Sequence, residues 1–459
     1  MNRRSFGPLS LVALCAACLV LLGLWIFHSY AQPTEQARLT FFSPQGYPQD
    51  LAEHTHFGMV NAASPEQVRQ SLETAQRNGA QLQIDFSPIL LRQRPATAVH
   101  NTYQDAEGTV RAKTFPPLAI NKVKDFPADA EIDALLAPYW PVLGAYPNTV
   151  ATIFLADEPY MHGISKRALE RAAVRVRALL HAQGLDHTRL GVVFAGAMFD
   201  PGFARQVADH ANAYVAGVDA YHERQQREAL TAEQHAAHAR WIEGFTRQRL
   251  TTYDLSGNLF LGGGIPKGFD IVAYDLYTAT LLQDAVHDGT LDWFAKARLS
   301  GACAPFLGLR SQDLRQQFSF YRDGPVAQSG QAKDKHLLDQ VFTCKSESIL
   351  ALLRQHAPTG VQAFQLWGEA SANGFLEFDA AGRIEPEQPR LLVEGRVADE
   401  VSRTMAFYQK HRQAFAAGTI FLLYDDTIDH SINLHVSGAK AMPSVTRLVF
   451  DRIGKPPVR

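Results

Sequence analysis

Cysteine is scarce in this chain of 459 residues, which has four in all. Two of them, Cys15 and Cys18, sit inside an apolar run, and no Cys/His cluster has the spacing of a zinc site. Charge of one sign is not in excess. Lys and Arg total 44 against 46 Asp and Glu, a formal net charge of −2. That balance argues against a nucleic-acid partner or an acidic polymer held by bulk charge. Basic stripes, low-complexity tracts and internal repeats are absent. An open dinucleotide-binding sheet would want a glycine-rich first turn, and "NAASPEQ" does not supply one. "LGGGIPKG" lacks Lys-Ser/Thr at P-loop spacing and reads as a turn. The sequence calls for no cofactor and no metal.

What the sequence does have begins at its amino end. Arg3 and Arg4 precede an uncharged apolar run from Phe6 to Phe27. As a helix that run reaches roughly 33 Å, enough to cross a bilayer core. The apolar region of a cleaved signal is usually shorter, about 7–15 residues. Residues 1–32 are therefore expected to form an uncleaved single-pass anchor in the inner (cytoplasmic) membrane. Ser29-Tyr30-Ala31 keeps open the alternative of secretion after signal cleavage. The arginines before the span, with none after it until Arg38, put the amino end in the cytoplasm and the rest in the periplasm or outside. In that compartment Cys303 and Cys344 are candidates for a disulfide.

From residue 57 onward, strand-like and helix-like patterns alternate. Strands are expected at 56–61, 81–86, 118–121, 150–158, 190–196, 214–221, 270–277 and 361–369. The helix over 64–79 has Ser64 as a cap, Pro65 in the first turn, a Val68/Leu72/Ala75 stripe and Gly79 as its stop. The helix over 165–184 buries Leu169, Ala172, Val176 and Leu179. Others are expected near 130–144, 201–211 and 396–415. Eight apolar strands with helical crossovers predict an α/β fold, a (β/α)8 TIM barrel with helical insertions over residues 33–416. Residues 417–459, with "TIFLLYDD", read as a carboxy-terminal extension packed on it.

The carboxyl ends of these strands are polar. They carry Asn61, Asp85, Asp157 and Glu158, Asp219 and Tyr221, Asp275 and Tyr277, and Trp367 and Glu369. Barrel enzymes place their chemistry at these ends. Simple alternation puts Glu158 on the lumen face with Thr152, Phe154 and Ala156, and Asp157 on the other. Because Pro159 follows, the backbone at Glu158 is expected to be extended. Each single Asp has a structural alternative, capping the next helix or pairing with a neighbour, and Trp367 has the alternative of plain core. Two carboxylic groups are the minimal apparatus for cleaving a glycosidic bond. Tyr160, Tyr221, Tyr277, Trp367 and Trp140 could stack on sugar faces. A polysaccharide or oligosaccharide of the cell envelope, or an exopolysaccharide, is the expected substrate class, with envelope polysaccharide machinery as a partner.

"IFLADEPY" on a fourth strand resembles the large clan of retaining glycoside hydrolases on (β/α)8 barrels. That clan carries Asn-Glu-Pro at the end of strand four, with the Glu as general acid/base. The resemblance implies that role for Glu158. Two positions depart from the pattern. Asp157 stands where the clan has Asn, and the strand read as seventh ends in Asp275 where the clan has its nucleophilic Glu. Glu369, ending the strand read as eighth, is the preferred second carboxylate, with Asp275 in reserve.

Two other classes compete. His54 and His56 have a spacing seen in metal-dependent amidohydrolase barrels, but they precede their strand. A non-catalytic polysaccharide-binding barrel of a secretion or synthesis complex would also suit an anchored chain.

Overall fold

A computed structural model describes residues 37–93, 99–104, 110–115, 124–162, 164–199, 213, 216–247, 264–276, 290–310, 313, 332–371, 390–429 and 434–455. One compact unit runs from Arg38 to Arg459, and Met1–Ala37 form another, of which Ala37 alone is described. The apolar run 6–27 lies outside the described residues. Among the described residues no helix is long and apolar enough to cross a membrane.

The larger unit is built on eight parallel strands, numbered here along the chain. They are β1 Leu39–Phe41, β2 Phe57–Asn61, β3 Gln81–Asp85, β4 Val150–Asp157, β5 Arg189–Ala195, β6 Ile271–Leu276, β7 Ala363–Glu369 and β8 Thr419–Leu422. Their spatial order is β1-β8-β7-β6-β5-β4-β3-β2, every pairing parallel. A parallel bridge between Phe42 and Met59, with the Ser43 amide donating to the Met59 carbonyl at 2.9 Å, joins β1 to β2. The sheet thus closes into a (β/α)8 barrel.

Helices cover the outside. They include α1 Pro65–Arg77, α2 Lys166–Ala182, α3 Ala332–His356, α4 Arg390–Lys410 and α5 Pro443–Ile453. α1 forms for the reasons its sequence states. The Ser64 hydroxyl accepts from the Gln67 amide at 3.2 Å, and Val68, Leu72 and Ala75 are buried. α2 is capped by Ser165 and buries Leu169, Ala172 and Val176, with Leu180 continuing the stripe in place of Leu179. An insertion between β3 and β4 carries the antiparallel hairpin Val99–Gln104 and Val110–Phe115.

The strand count holds, but not all eight strands are those expected from the sequence. β1 is only three residues long and precedes the first helical pattern, so periodicity cannot announce it. The strand expected at 118–121 and the helix expected at 201–211 lie outside the described residues. The strand expected at 214–221 is overturned: residues 216–221 are helical. Short apolar runs look alike as strand or buried helix. The last strand, β8, comes from the segment read as a carboxy-terminal extension, so the barrel extends past residue 416. The strands read as fourth and fifth keep their places, while those read as seventh and eighth are β6 and β7.

The lumen is filled by Phe57, Met59, Phe154, Val193, Ile271, Ala273, Ala363, Trp367 and Ile420. Through it runs a polar brace. Gln365 of β7 donates to the Gln83 side-chain oxygen of β3 at 3.0 Å and to the Ala417 carbonyl at 3.0 Å, and accepts from the Trp367 indole at 3.1 Å. All three side chains are buried, so these bonds replace part of the solvation that the interior cannot give, while the Gln83 Nε2 has no hydrogen-bond partner among the described residues.

Cys303, in the turn Gly301–Phe306, and Cys344, on α3, form a disulfide across a sequence separation of 41. Closing a loop of that length constrains the unfolded chain by about 4 kcal/mol in the chain-entropy account. The Cys303→Ser/Cys344→Ser double variant is expected to lose on that order of stability in urea unfolding. An unchanged midpoint would refute this.

Candidate active site at the carboxyl ends of the strands

The end of β4 does not follow simple alternation. Its register against β5 slips: Phe154 pairs with Gly191, but Asp157 pairs with Val193. One extra residue is taken up as a bulge, which re-aims the side chains beyond it. Val193 belongs to the lumen cluster, so its partner Asp157, not Glu158, takes the inward position of the strand. Glu158 then turns the chain. Its φ is +44°, in the left-handed region, not the extended backbone expected before a proline. Its amide still donates to the Val193 carbonyl at 3.0 Å, and the chain continues into the short helical turn Pro159–His162. A bulky residue at positive φ is uncommon and costs of order 1–3 kcal/mol. The Glu158 carboxylate, half-buried at the rim, makes no hydrogen bond or ion pair among the described residues.

Glu369 ends β7 and is on the lumen face with Trp367 and Gln365 by alternation. It is buried, its neighbour in register being Leu422 of β8. One carboxylate oxygen accepts from the Ser371 amide at 2.9 Å and from the Ser371 hydroxyl at 2.5 Å. Burial dominates over these bonds and pushes its pKa up to about 7.

The neighbouring ends complete a ring. Asp275 of β6 is buried and pairs in register with Ala195 and Trp367. Asp85 of β3 is buried, and its two oxygens accept from the Ser87 amide at 2.8 Å and hydroxyl at 2.7 Å, a bond to the residue two positions on at the start of the short helix Ser87–Leu90, whose N-cap is Phe86. Asn61 of β2 stands beside Asp85 in register, and its side-chain oxygen is buried without a hydrogen bond among the described residues. Beneath lie Trp367 and Phe154, edge to face at 5.7 Å, with Phe42 at 6.2 Å from Trp367. Trp367 is thus lumen core and floor together.

Other expected site residues fall elsewhere. Asp219 is exposed on the helical segment that replaces the expected strand, and Tyr221 lies there too, stacked on His238 at 3.6 Å. Tyr160 is buried, stacked on Phe194 at 5.2 Å, with its hydroxyl donating to the Gly264 carbonyl at 2.9 Å. Phe194 alternates outward from Val193, so Tyr160 faces the helix layer and not the lumen. Tyr277 lies outside the described residues. His54 stacks on Phe450 at 4.4 Å, and His56 precedes β2 at the opposite pole. Among the described residues no group of His, Cys, Asp and Glu has the arrangement to hold a metal.

Gln83 and Gln365 go unnoticed in the sequence-based site. A signal exists: "QLQID" alternates polar and apolar, which a strand covered on both faces does not require. Ser87 and Ser371, each two residues after a lumen carboxylate, are further partners that spacing alone does not single out.

No family model matches this chain, and no curated protein matches it. Solved structures similar to it include one of two plant β-glucan endohydrolases, at 10% identity and TM-score 0.34, covering 85% of this chain and 91% of that one. Another is a glycoside hydrolase family 5 enzyme from Prevotella bryantii B14, at 10% identity and TM-score 0.37, covering 89% and 87%. A third is a family 1 β-glucosidase from Thermotoga maritima, at 11% identity and TM-score 0.33, covering 89% and 84%. At such values the likeness leaves the functional reading to the residues themselves.

Proposed function

We propose that this protein is a glycosidase that cleaves a glycan of the cell envelope or an exopolysaccharide, with Glu158 as general acid/base and Glu369 as the second carboxylate. One observation carries the reading: Glu158 follows strand four and Glu369 ends strand seven of one closed barrel, at the same pole. This is the strand assignment that the Asp-Glu-Pro resemblance implies, and it removes the departure created by the sequence-based count. Glu158 donates a proton to the leaving oxygen, and Glu369 attacks the anomeric carbon or activates water. The aromatic floor supplies an apolar face for a sugar ring. Asn61, with its unmet buried oxygen, and Asp157 contact hydroxyl groups. Asp275 is a further acid of the same pole.

We place residues 6–27 in the inner membrane and the barrel outside the cytoplasm. The Cys303–Cys344 bridge supports this, since such bonds persist in oxidising compartments. The test is release of reducing ends by the full chain from a panel of envelope and biofilm polysaccharides. Release from one of them, with no requirement for added metal, is the expected result; none from any would overturn the enzyme reading.

A second reading is a non-catalytic glycan-binding barrel. It is favoured by the way Ser87 holds both oxygens of Asp85 and Ser371 grips Glu369, which spends carboxylate capacity on the protein itself.

A further inference from the structure

The opposite pole of the barrel, where the strands begin, gathers positive charge around an acid, Asp270, that is already engaged. Arg38 directly precedes β1 and Arg189 opens β5, and these two strands are four apart around the closed sheet, on opposite walls. Alternation puts both in inward rows, Arg38 with Thr40 and Phe42, and Arg189 with Gly191 and Val193. The Arg38 guanidinium lies over the Phe57 ring, 5.5 Å from its centre. Among the described residues the Arg38 Nε is buried without an acceptor, and Nε2 of His56, just before β2, is buried without a hydrogen-bond partner. The Arg189 side chain makes no hydrogen bond or ion pair among the described residues.

The acid that acts on Arg189 is already engaged. Asp270 accepts from the Arg177 guanidinium, from the Leu190 amide at 2.7 Å and from the Gln362 side chain at 3.2 Å. Lys455 adds positive charge beside His56 while its own ammonium donates to the carbonyls of Ala52, Thr55 and Asn78 at 2.7–2.9 Å. Burial first, and then the charge of Arg38, hold the Arg189 guanidinium below its ordinary range.

Buried N–H donors without acceptors and like charges facing one another are both costly. A tetrahedral oxyanion removes both costs at once, because the guanidinium fork matches its oxygens. We propose that this pole is an oxyanion site, taking a free phosphate or sulfate between Arg38 and Arg189 with His56 as a further donor. The site is separate from the carboxylate ring and independent of any glycosidase activity. A different outcome is available to the same residues: two arginines that merely extend their stems across the lumen floor and leave their heads in water.

Thermal unfolding and calorimetry of the full chain separate the two. Sodium phosphate and sodium sulfate are each compared with sodium chloride at equal ionic strength. Phosphate or sulfate at about tenfold over its Kd is expected to raise Tm by about 2 °C. Arg38→Gln and Arg189→Gln are expected to abolish the rise and weaken binding at least tenfold, while Arg227→Gln, on an exposed helix, keeps both. Arg38→Lys retains the charge without the fork and is expected to bind more weakly than the native chain, which covers the case of a Gln variant that does not fold. A rise matched by chloride, or one that survives in both Gln variants, overturns the proposal.

Discussion

Glu158→Gln is expected to lower glycan turnover by about 10²–10⁴-fold, the usual contribution of a positioned general acid/base, while affinity for the same glycan stays within a few fold. The amide keeps the size and the rim position of the side chain and removes only the proton it would transfer. Two structural facts make the position hard to explain as ordinary termination of a strand. The bulge at Phe154/Asp157 and the positive φ of Glu158 both spend backbone energy at one point. Neither is repaid by a hydrogen bond or ion pair of the Glu158 carboxylate among the described residues. Strain of this kind gathers where a side chain must be aimed. Stability supplies a second readout. Glu158→Gly removes the Cβ penalty at that φ and is expected to raise stability by about 1 kcal/mol in urea unfolding while turnover is lost. A Glu158→Gln protein that retains turnover would refute the acid/base role. Binding with no turnover even in the native chain would leave the glycan-binding reading standing.

How much of this was legible in the sequence depended on the length of each signal. α1 and α2 carry a cap, a stripe and a stop, and each is found where those signals put it. Strands β4, β5, β6 and β7 are apolar runs flanked by clear helices or turns and are likewise found. Leu39–Phe41 is too short to carry a period, Thr419–Leu422 reads as part of an extension, and the run near Val218 is apolar enough for either element, so two barrel strands escape the sequence reading, one expected strand is helix, and the one expected at 118–121 is not among the barrel's eight. These differences matter because strand ordinals decide which carboxylate answers to which role: with one earlier strand added and two expected ones absent from the barrel, Glu369 ends the seventh strand and not the eighth. The bulge in β4 could not have been read either. A bulge shifts one residue against a neighbouring strand, and nothing in "VATIFLADE" marks where Arg189–Ala195 will lie beside it. The alternation rule therefore put Glu158 on the lumen face and Asp157 off it, and the register reverses the inward position. The Tyr160 ring was legible as an aromatic near the rim but not as one committed to Phe194, a contact made by a different strand.

Relative to Glu369→Gln, the native chain is expected to lose stability as pH rises from about 4.5 to about 7. The sign follows from which state holds the proton. In the unfolded chain Glu369 ionises at its ordinary value; in the fold, burial holds its pKa at about 7. Below the unfolded value both states are protonated, and the neutral carboxyl is accommodated at no electrostatic cost. Between the two values the fold keeps a proton that the unfolded chain has released, so each rise in pH favours unfolding. Above about 7 the fold too has lost it, and the difference is complete at on the order of 3 kcal/mol. Urea unfolding at pH 5 and pH 8, native against Glu369→Gln, reads this directly; a native chain as stable at pH 8 as the variant would refute it. The same titration bears on chemistry. A carboxylate that attacks an anomeric carbon, or takes a proton from water, acts only when ionised, so kcat/KM is expected to climb with pH through a limb near 7. Activity would then rise over the interval in which stability falls. That opposition separates a working carboxylate from a structural one: a buried acid kept only for its bonds to Ser371 would contribute the stability change and leave no limb in the rate.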